Sequence, residues 1–264
     1  MAFYKPQEIA QITVETGIKK AQNPLLTMII LGFLAGAFIA IGFLVDIRVI
    51  AQTPKEWGSF ASFLGAAVFP VGLILVVLAG GELLTGNMMT VTLASMNGKV
   101  SIKDWLINLI IITICNFIGA LFVAYFFGHV VGLTEQGPYL AKTVQMAGHK
   151  LDDSFLQALL SGIGCNWLVA LALWLSYGAD NMSGKIMAIW FPIMTFVAIG
   201  FQHVVANMFL IPAAIFAGHY TWGDYLMNFI PVWIGNFIGG AVFVAAAYYG
   251  SYMYPERKEQ SELR

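Results

Sequence analysis

Charge is the first thing this chain is short of. Only 10% of its 264 residues are Asp, Glu, Lys or Arg, against roughly 25% in an ordinary soluble domain. Lys and Arg total 13 and Asp and Glu 14, a net charge of −1 with no block of one sign. That balance argues against nucleic acid as a partner. Arginine is scarcer still: Arg48, Arg257 and Arg264 all fall outside the long apolar runs. The usual permanent anion clamp is therefore missing, and so is the pore arginine of a water channel. Cys115 and Cys165 are the only cysteines, both inside apolar stretches. They read as small buried hydrophobes, with no disulfide framework. His129, His149, His203 and His219 show no metal-ligand spacing, and HExxH, GxSxG, Walker and CxxC patterns are all lacking. The chain is therefore not expected to be an enzyme, and no cofactor is expected.

Apolar surface is what the chain has in abundance: 59% of residues are hydrophobic and the mean hydropathy is +0.79. One core cannot hide that much, so the natural solvent is lipid. A membrane helix needs about 20 mostly apolar residues. Six stretches qualify, at about 24–45, 60–95, 105–131, 155–176, 186–216 and 225–249. The organisation expected is a cytoplasmic amphipathic helix over 1–23, a transmembrane domain over 24–251 and a cytoplasmic tail over 252–264. The N-terminal MAFYKPQEIAQ has no apolar signal-peptide core, so the first long run is expected to be retained. Ile9 and Ile12 share one face of the first helix, with Lys19 and Lys20 following, a pattern suited to the membrane interface. With both termini in the cytoplasm, only Arg48, Lys55, Lys142 and Lys150 lie outside, as the positive-inside rule asks of a cell-membrane protein.

The second and fifth stretches are too long for one simple span, and each is interrupted by polar residues. They also repeat. Shifted by 120 positions and without gaps, Gly80, Asn87, Met88, Gly98, Asp104, Asn108 and the NFIG at 116–119 meet Gly200, Asn207, Met208, Gly218, Asp224, Asn228 and the NFIG at 236–239. The repeat units run over about 24–131 and 155–249, and the match between first and fourth crossings is weaker. Three crossings per unit force the second copy in upside down. The fold expected is thus all-α, six transmembrane helices in an inverted 3+3 repeat with broken second and fifth helices. Paired breaks in inverted repeats are a transport architecture, and they point at the permeation path. Here the breaks are GELLTGNM (81–88) and FQHVVANM (201–208).

An ionisable residue inside a membrane is a functional candidate by default, and His203 fits best. Gln202 and Asn207 bring amides beside it, which also satisfy unwound backbone. Glu82, the first copy's counterpart of Gln202, is given a structural role ahead of a transport one. Thr85 either shapes its loop or touches substrate. Asn166, in GCNWLVALALW, either donates to an anion or pairs with helix backbone. Asn116 and Asn236 read as helix–helix glue.

At GGELLTGNM, GCNWLVALALW and GFQHVVANM the chain resembles the formate/nitrite transporter family over nearly its whole length. The resemblance implies an aquaporin-like protomer, a homopentamer with one pore per protomer, and passage of small monovalent anions or their acids, with a proton as partner. Formate comes first, with nitrite or hydrosulfide as alternatives and a neutral-solute channel as the more distant one. It implies that His203 is the central pore histidine and Thr85 the threonine of the loop breaking the second helix. Leu73 and Leu84 match a cytoplasmic constriction; Phe69, Val169 and Phe196 match an outer one. Lys150 resembles a vestibule lysine that draws anions in, and Asn166 and Asn207 match pore-lining or loop-supporting asparagines. Gln202 departs from the family's glutamate, which puts substrate preference and pH dependence in question. A water channel would show Asn-Pro-Ala signatures, and GNM and ANM lack the proline.

Overall fold

The computed structural model describes residues 3–254, and the chain is almost wholly helical. The tail residues Arg257, Lys258 and Arg264 lie outside the described residues. Eleven α-helices follow in order among the described residues: α1 Pro6–Ala21, α2 Leu25–Ile50, α3 Ser59–Val68, α4 Val71–Leu75, α5 Leu84–Met96, α6 Ile102–Phe122, α7 Pro138–Leu151, α8 Phe155–Gly178, α9 Met182–Ile199, α10 Val204–Phe216 and α11 Trp222–Gly240. Six stretches are long and apolar enough to cross a membrane: Leu25–Ile50, Ser59–Gly80, Ile102–Val130, Phe155–Gly178, Met182–Ile199 and Trp222–Met253. Leu106, Ile110, Ile114 and Ile118 form an exposed stripe along α6, the spacing of one helix face turned outward. The protein is a multi-pass membrane protein.

The breaks are where the sequence places them. Gly80 and Gly200 adopt φ of +99° and +88°, the left-handed region that costs glycine nothing. Three non-helical residues follow each, and then α5 or α10 begins. Those two short helices carry no outward face: every residue of Leu84–Ala94 and of Val204–Ala214 is buried.

Backbone freed by the breaks has to be satisfied inside the protein, and one asparagine does this in each half. Asn116 Nδ2 donates to the carbonyls of Gly32 (2.8 Å) and Glu82 (2.9 Å), while its Oδ1 accepts from the Leu84 N–H (2.9 Å). Asn236 Nδ2 donates to the carbonyls of Gly162 (2.8 Å) and Gln202 (2.9 Å), and its Oδ1 accepts from the Val204 N–H (2.8 Å). The same pattern aligns the first and fourth crossings, which the sequence matched only weakly: Gly32 answers to Gly162, so the copies are 130 residues apart there and 120 later. About half of the difference comes from the α2–α3 connection, which is longer than the α8–α9 one, and the rest from longer helical stretches on either side of it.

Close helix contacts set the two halves. The backbone of α2 meets α6 at Gly36 and Gly119, where a Cβ would overlap the Asn116 and Phe33 carbonyl oxygens; α8 meets α11 the same way at Gly239 and Ile163. Small residues at such crossings allow backbones to approach where lipid provides no driving force between helices. The α1 helix packs against the rest of the protein. Ile9, Ala10, Thr13, Val14 and Gly17 are buried, with Gly17 against the backbone of Thr90 in α5. Its apolar face is covered by protein.

Candidate functional site

Two cavities enter the protein from opposite faces, for three crossings separate α1 from α7. The larger, about 500 Å³, opens beside α7 and is lined among others by Asp46, Lys142, His149 and Lys150, with Phe43, Phe69, Phe196 and His203 deeper in. The smaller, about 290 Å³, opens beside α1 and is lined by Lys20, Val76, Glu82, Leu83, Leu173 and Tyr177 among others.

Between them the two breaks meet. His203 is the N-cap of α10; its Nδ1 accepts the Ala206 N–H at 3.1 Å. An imidazole nitrogen that accepts carries no proton, so in the neutral ring the proton sits on Nε2. Nε2 is 3.0 Å from Thr85 Oγ1 in the second residue of α5. The histidine therefore donates to the threonine, and the threonine's own hydrogen is left to point elsewhere. The N-terminal ends of α5 and α10 converge here, which favours negative charge between them. The surroundings are apolar. Phe196 lies 5.8 Å from the imidazole, ring centre to ring centre, and 5.7 Å from Phe69; Phe69 is 5.6 Å from Phe43.

Of the residues matched to constrictions, Phe69 and Phe196 line the α7-side cavity. Leu73, Leu84 and Val169 are fully buried and line neither cavity. Asn166 faces the scaffold: its Nδ2 donates to the carbonyls of Asn236 (2.6 Å) and Thr85 (3.2 Å), joining the two halves. Asn207 Nδ2 donates to Gln202 (2.6 Å) and Asn228 (2.9 Å).

Gln202 makes no hydrogen bond to the imidazole it precedes. Its Nε2 donates to the Lys150 carbonyl (2.9 Å) and to Asp153 (2.7 Å), and its Oε1 accepts from Asn207. Any influence on the ring thus acts through space. The first copy has the same cluster with a carboxylate in it: Glu82 accepts from Asn87 (2.8 Å), Asn23 (3.2 Å) and Lys20 (3.0 Å), and Asn108 donates to the Lys20 carbonyl as Asn228 does to that of Lys150. Lys20 and Lys150 are therefore counterparts at the two mouths. Lys20 is paired with an acid. Lys150 Nζ donates to the carbonyls of Gly200 (2.8 Å) and Phe201 (3.2 Å). Burial pulls the Lys150 ammonium below the ordinary lysine value, and Asp153 and Asp46 pull against it.

The sequence did not single out Asp46, Phe43, Lys142, His149 or Asp153 as lining a cavity. Asp46 stood one residue beyond the expected end of the first span, yet α2 runs on to Ile50.

A family model described as formate/nitrite transporter matches residues 7–250. The chain is 64% identical over 260 residues to the "Uncharacterized transporter YrhG" of Bacillus subtilis (strain 168), covering 98% of each. It is 56% identical over 264 residues to the "Formate channel BtFdhC" of Bacillus thuringiensis, covering 100% of each. Among solved structures it is similar to a "Pentameric formate channel with formate bound", with a TM-score of 0.77 and 30% identity over 89% of this chain and 99% of that one. A second, an "FNT family ion channel", gives a TM-score of 0.86 at 26% identity over 92% and 98%.

Proposed function

Because the chain belongs to the formate/nitrite transporter family, we propose that it is a channel for small monovalent anions, formate first, crossing as or by way of the protonated acid. The relatives named as formate channels support that substrate, and the pentameric neighbour supports a homopentamer with a path through each protomer. The charge distribution supports a cell-membrane protein with α7 facing outward and both termini in the cytoplasm.

The observation that carries this reading is the His203–Thr85 pair, 3.0 Å apart, where the two breaks meet among phenylalanine rings. Moving a bare carboxylate-sized ion into low dielectric costs on the order of 20 kcal/mol in the ideal limit, and several after relaxation. A carboxylic acid with a pKa near 4 is protonated at pH 7 for ~4 kcal/mol. The neutral acid is thus the cheaper species at the rings. What it needs midway is hydrogen bonding, which the Thr85 hydroxyl, oriented by His203 Nε2, supplies. The ring is a poor proton lender in this arrangement. Its Nδ1 is committed to the Ala206 N–H, and giving up the Nε2 proton would leave an anion. Lys150 gathers substrate at the mouth, and Asn166, Asn207 and Gln202 hold the breaks in shape.

Uptake of radiolabelled formate by liposomes carrying the purified protein tests this. Uptake should exceed that of empty vesicles and rise as external pH falls. Thr85→Val keeps the shape and removes the hydroxyl, so the rate should fall by roughly tenfold, the worth of one hydrogen bond. Formate uptake equal to empty vesicles, with faster water or glycerol flux, would assign a neutral-solute channel instead.

A further inference from the structure

Asp46 is the one acidic side chain in the first crossing, and it takes no part in the His203–Thr85 contact. It is 2% exposed, and its Oδ1 has no hydrogen-bond partner. That oxygen rests against Gly65 of α3, where a Cβ would overlap it, so the missing side chain makes its room. The carboxyl lines the α7-side cavity, above Phe69 and Phe196. In the same cavity among the described residues stand Lys142, His149 and Lys150 of α7, Asp153 just beyond that helix, and His203; α3 and α9 contribute only Ser62, Gly65, Phe196, Val197 and Ala198, none of them titratable. Lys142 bonds Gln145, Lys150 bonds backbone carbonyls, and Arg48 on the same helix turns away to the Leu133 carbonyl and the Tyr139 ring.

We propose that Asp46 hands the incoming anion its proton in the α7-side cavity. This rests on reading the chain as a channel for anions of weak acids. The proton has to be acquired before the buried apolar stretch between the two cavities, where Leu73 and Leu84 lie; His203 lines the same cavity as Asp46, but its single proton is engaged at Thr85 and its other nitrogen at the Ala206 N–H. Lysine ammonium groups are far weaker acids than formic acid and make poor donors to formate. Asp153 is already partnered by the Gln202 amide. A carboxyl is matched in acidity to a small carboxylate, the condition for easy transfer in both directions. Two carboxylates brought together cannot both stay ionised, so a formate drawn in by Lys150 beside Asp46 shares one proton with it. The O–H bond breaks at Asp46 and forms at the formate oxygen. Neutral acid moves on, the Asp46 carboxylate stays near Lys142 and Lys150, and water at the open mouth returns the proton. One proton enters with each anion.

The test is the initial rate of formate uptake into liposomes at pH 5.5, 6.5 and 7.5, for the full-length protein, Asp46→Asn and His149→Gln. Asparagine is isosteric and removes an unpartnered buried carboxyl, so the melting temperature should not fall; Asp46→Ser repeats the measurement if assembly suffers. The Asp46→Asn rate should drop at least tenfold at pH 7.5 and stay within about twofold of the unaltered protein at pH 5.5, where bulk acid arrives ready-made; general acids are typically worth 100-fold or more. His149→Gln should follow the unaltered protein. An Asp46→Asn profile parallel to the unaltered one, whether equal or uniformly lower, overturns the proposal, and so does a His149→Gln profile that matches Asp46→Asn. Failure of the unaltered protein to move formate would instead overturn the channel reading itself.

Discussion

Replacing Asn236 with leucine keeps the branching and number of side-chain heavy atoms and removes the three hydrogen bonds by which this side chain fastens the second break. The Val204 N–H loses its acceptor and the Gln202 carbonyl its donor, both in buried surroundings. The Gly162 carbonyl keeps its place in the α8 ladder and loses only a second partner. A buried polar group left unsatisfied costs about 1–3 kcal/mol, so two cost about 4 kcal/mol. For a chain of this length, at about 2 °C per kcal/mol, the melting point should fall by about 8 °C. Thermal denaturation of the detergent-solubilised protein, followed by tryptophan fluorescence, reads this directly. Formate uptake should fall as well, although Asn236 lines neither cavity, because Val204 follows His203 and the break that carries the imidazole is no longer held. Asn116→Leu should behave alike, through the Leu84 N–H and the Glu82 carbonyl. A melting point within 2 °C of the unaltered protein would refute the view that these amides are the fasteners of the breaks.

Gly36→Ala drives a Cβ into the Asn116 carbonyl and parts α2 from α6. Overpacking of this kind costs typically 1–3 kcal/mol, and the yield of assembled protein on size exclusion should fall; Gly223→Ala, with only the Thr221 hydroxyl 3.4 Å away, should leave it unchanged. Lys150→Met keeps the stem and removes the charge. A unit charge about 7 Å from an anion in water is worth about 0.6 kcal/mol, so half-saturation should rise roughly threefold at low salt, with the difference shrinking at high salt. Since burial lowers the Lys150 pKa, its charge fades earlier on the alkaline side than an exposed lysine's. Half-saturation of the unaltered protein should therefore climb as pH is raised toward that lowered value, and that of Lys150→Met should not follow.

Much of the architecture could be read from residue types alone. Glutamate, glutamine, histidine and asparagine stand out in apolar stretches because lipid tolerates them so badly, and that is why the breaks at 81 and 201 were visible. What hid was whatever depends on neighbours distant in sequence. Asn116 lies 34 residues from the carbonyl it fastens, and in sequence it looks like any polar residue in a helix contact. Asp46 was hidden by its own charge. An apolar window ends at a carboxylate, whereas the helix continues because Gly65 and the α7-side cavity receive the side chain. The α7 helix was missed outright. PYLAKTVQMAGHKL is too polar for a span, and it forms because Pro138 opens it after Gly137 and α10 and α2 receive its buried side. The partners of Gln202 were hidden too, since adjacency to His203 in sequence says nothing about which way an extended residue turns, and its side chain meets Lys150, Asp153 and Asn207.

The fasteners of each break come from the same half of the chain: Asn116 reaches Gly32, Glu82 and Leu84, and Asn236 reaches Gly162, Gln202 and Val204. Each set of three crossings thus carries its own closure. During synthesis the first half can lock its broken helix in the bilayer while the second is still on the ribosome. The later half then docks onto a finished template, and the Thr85–His203 contact is made only when both are in place.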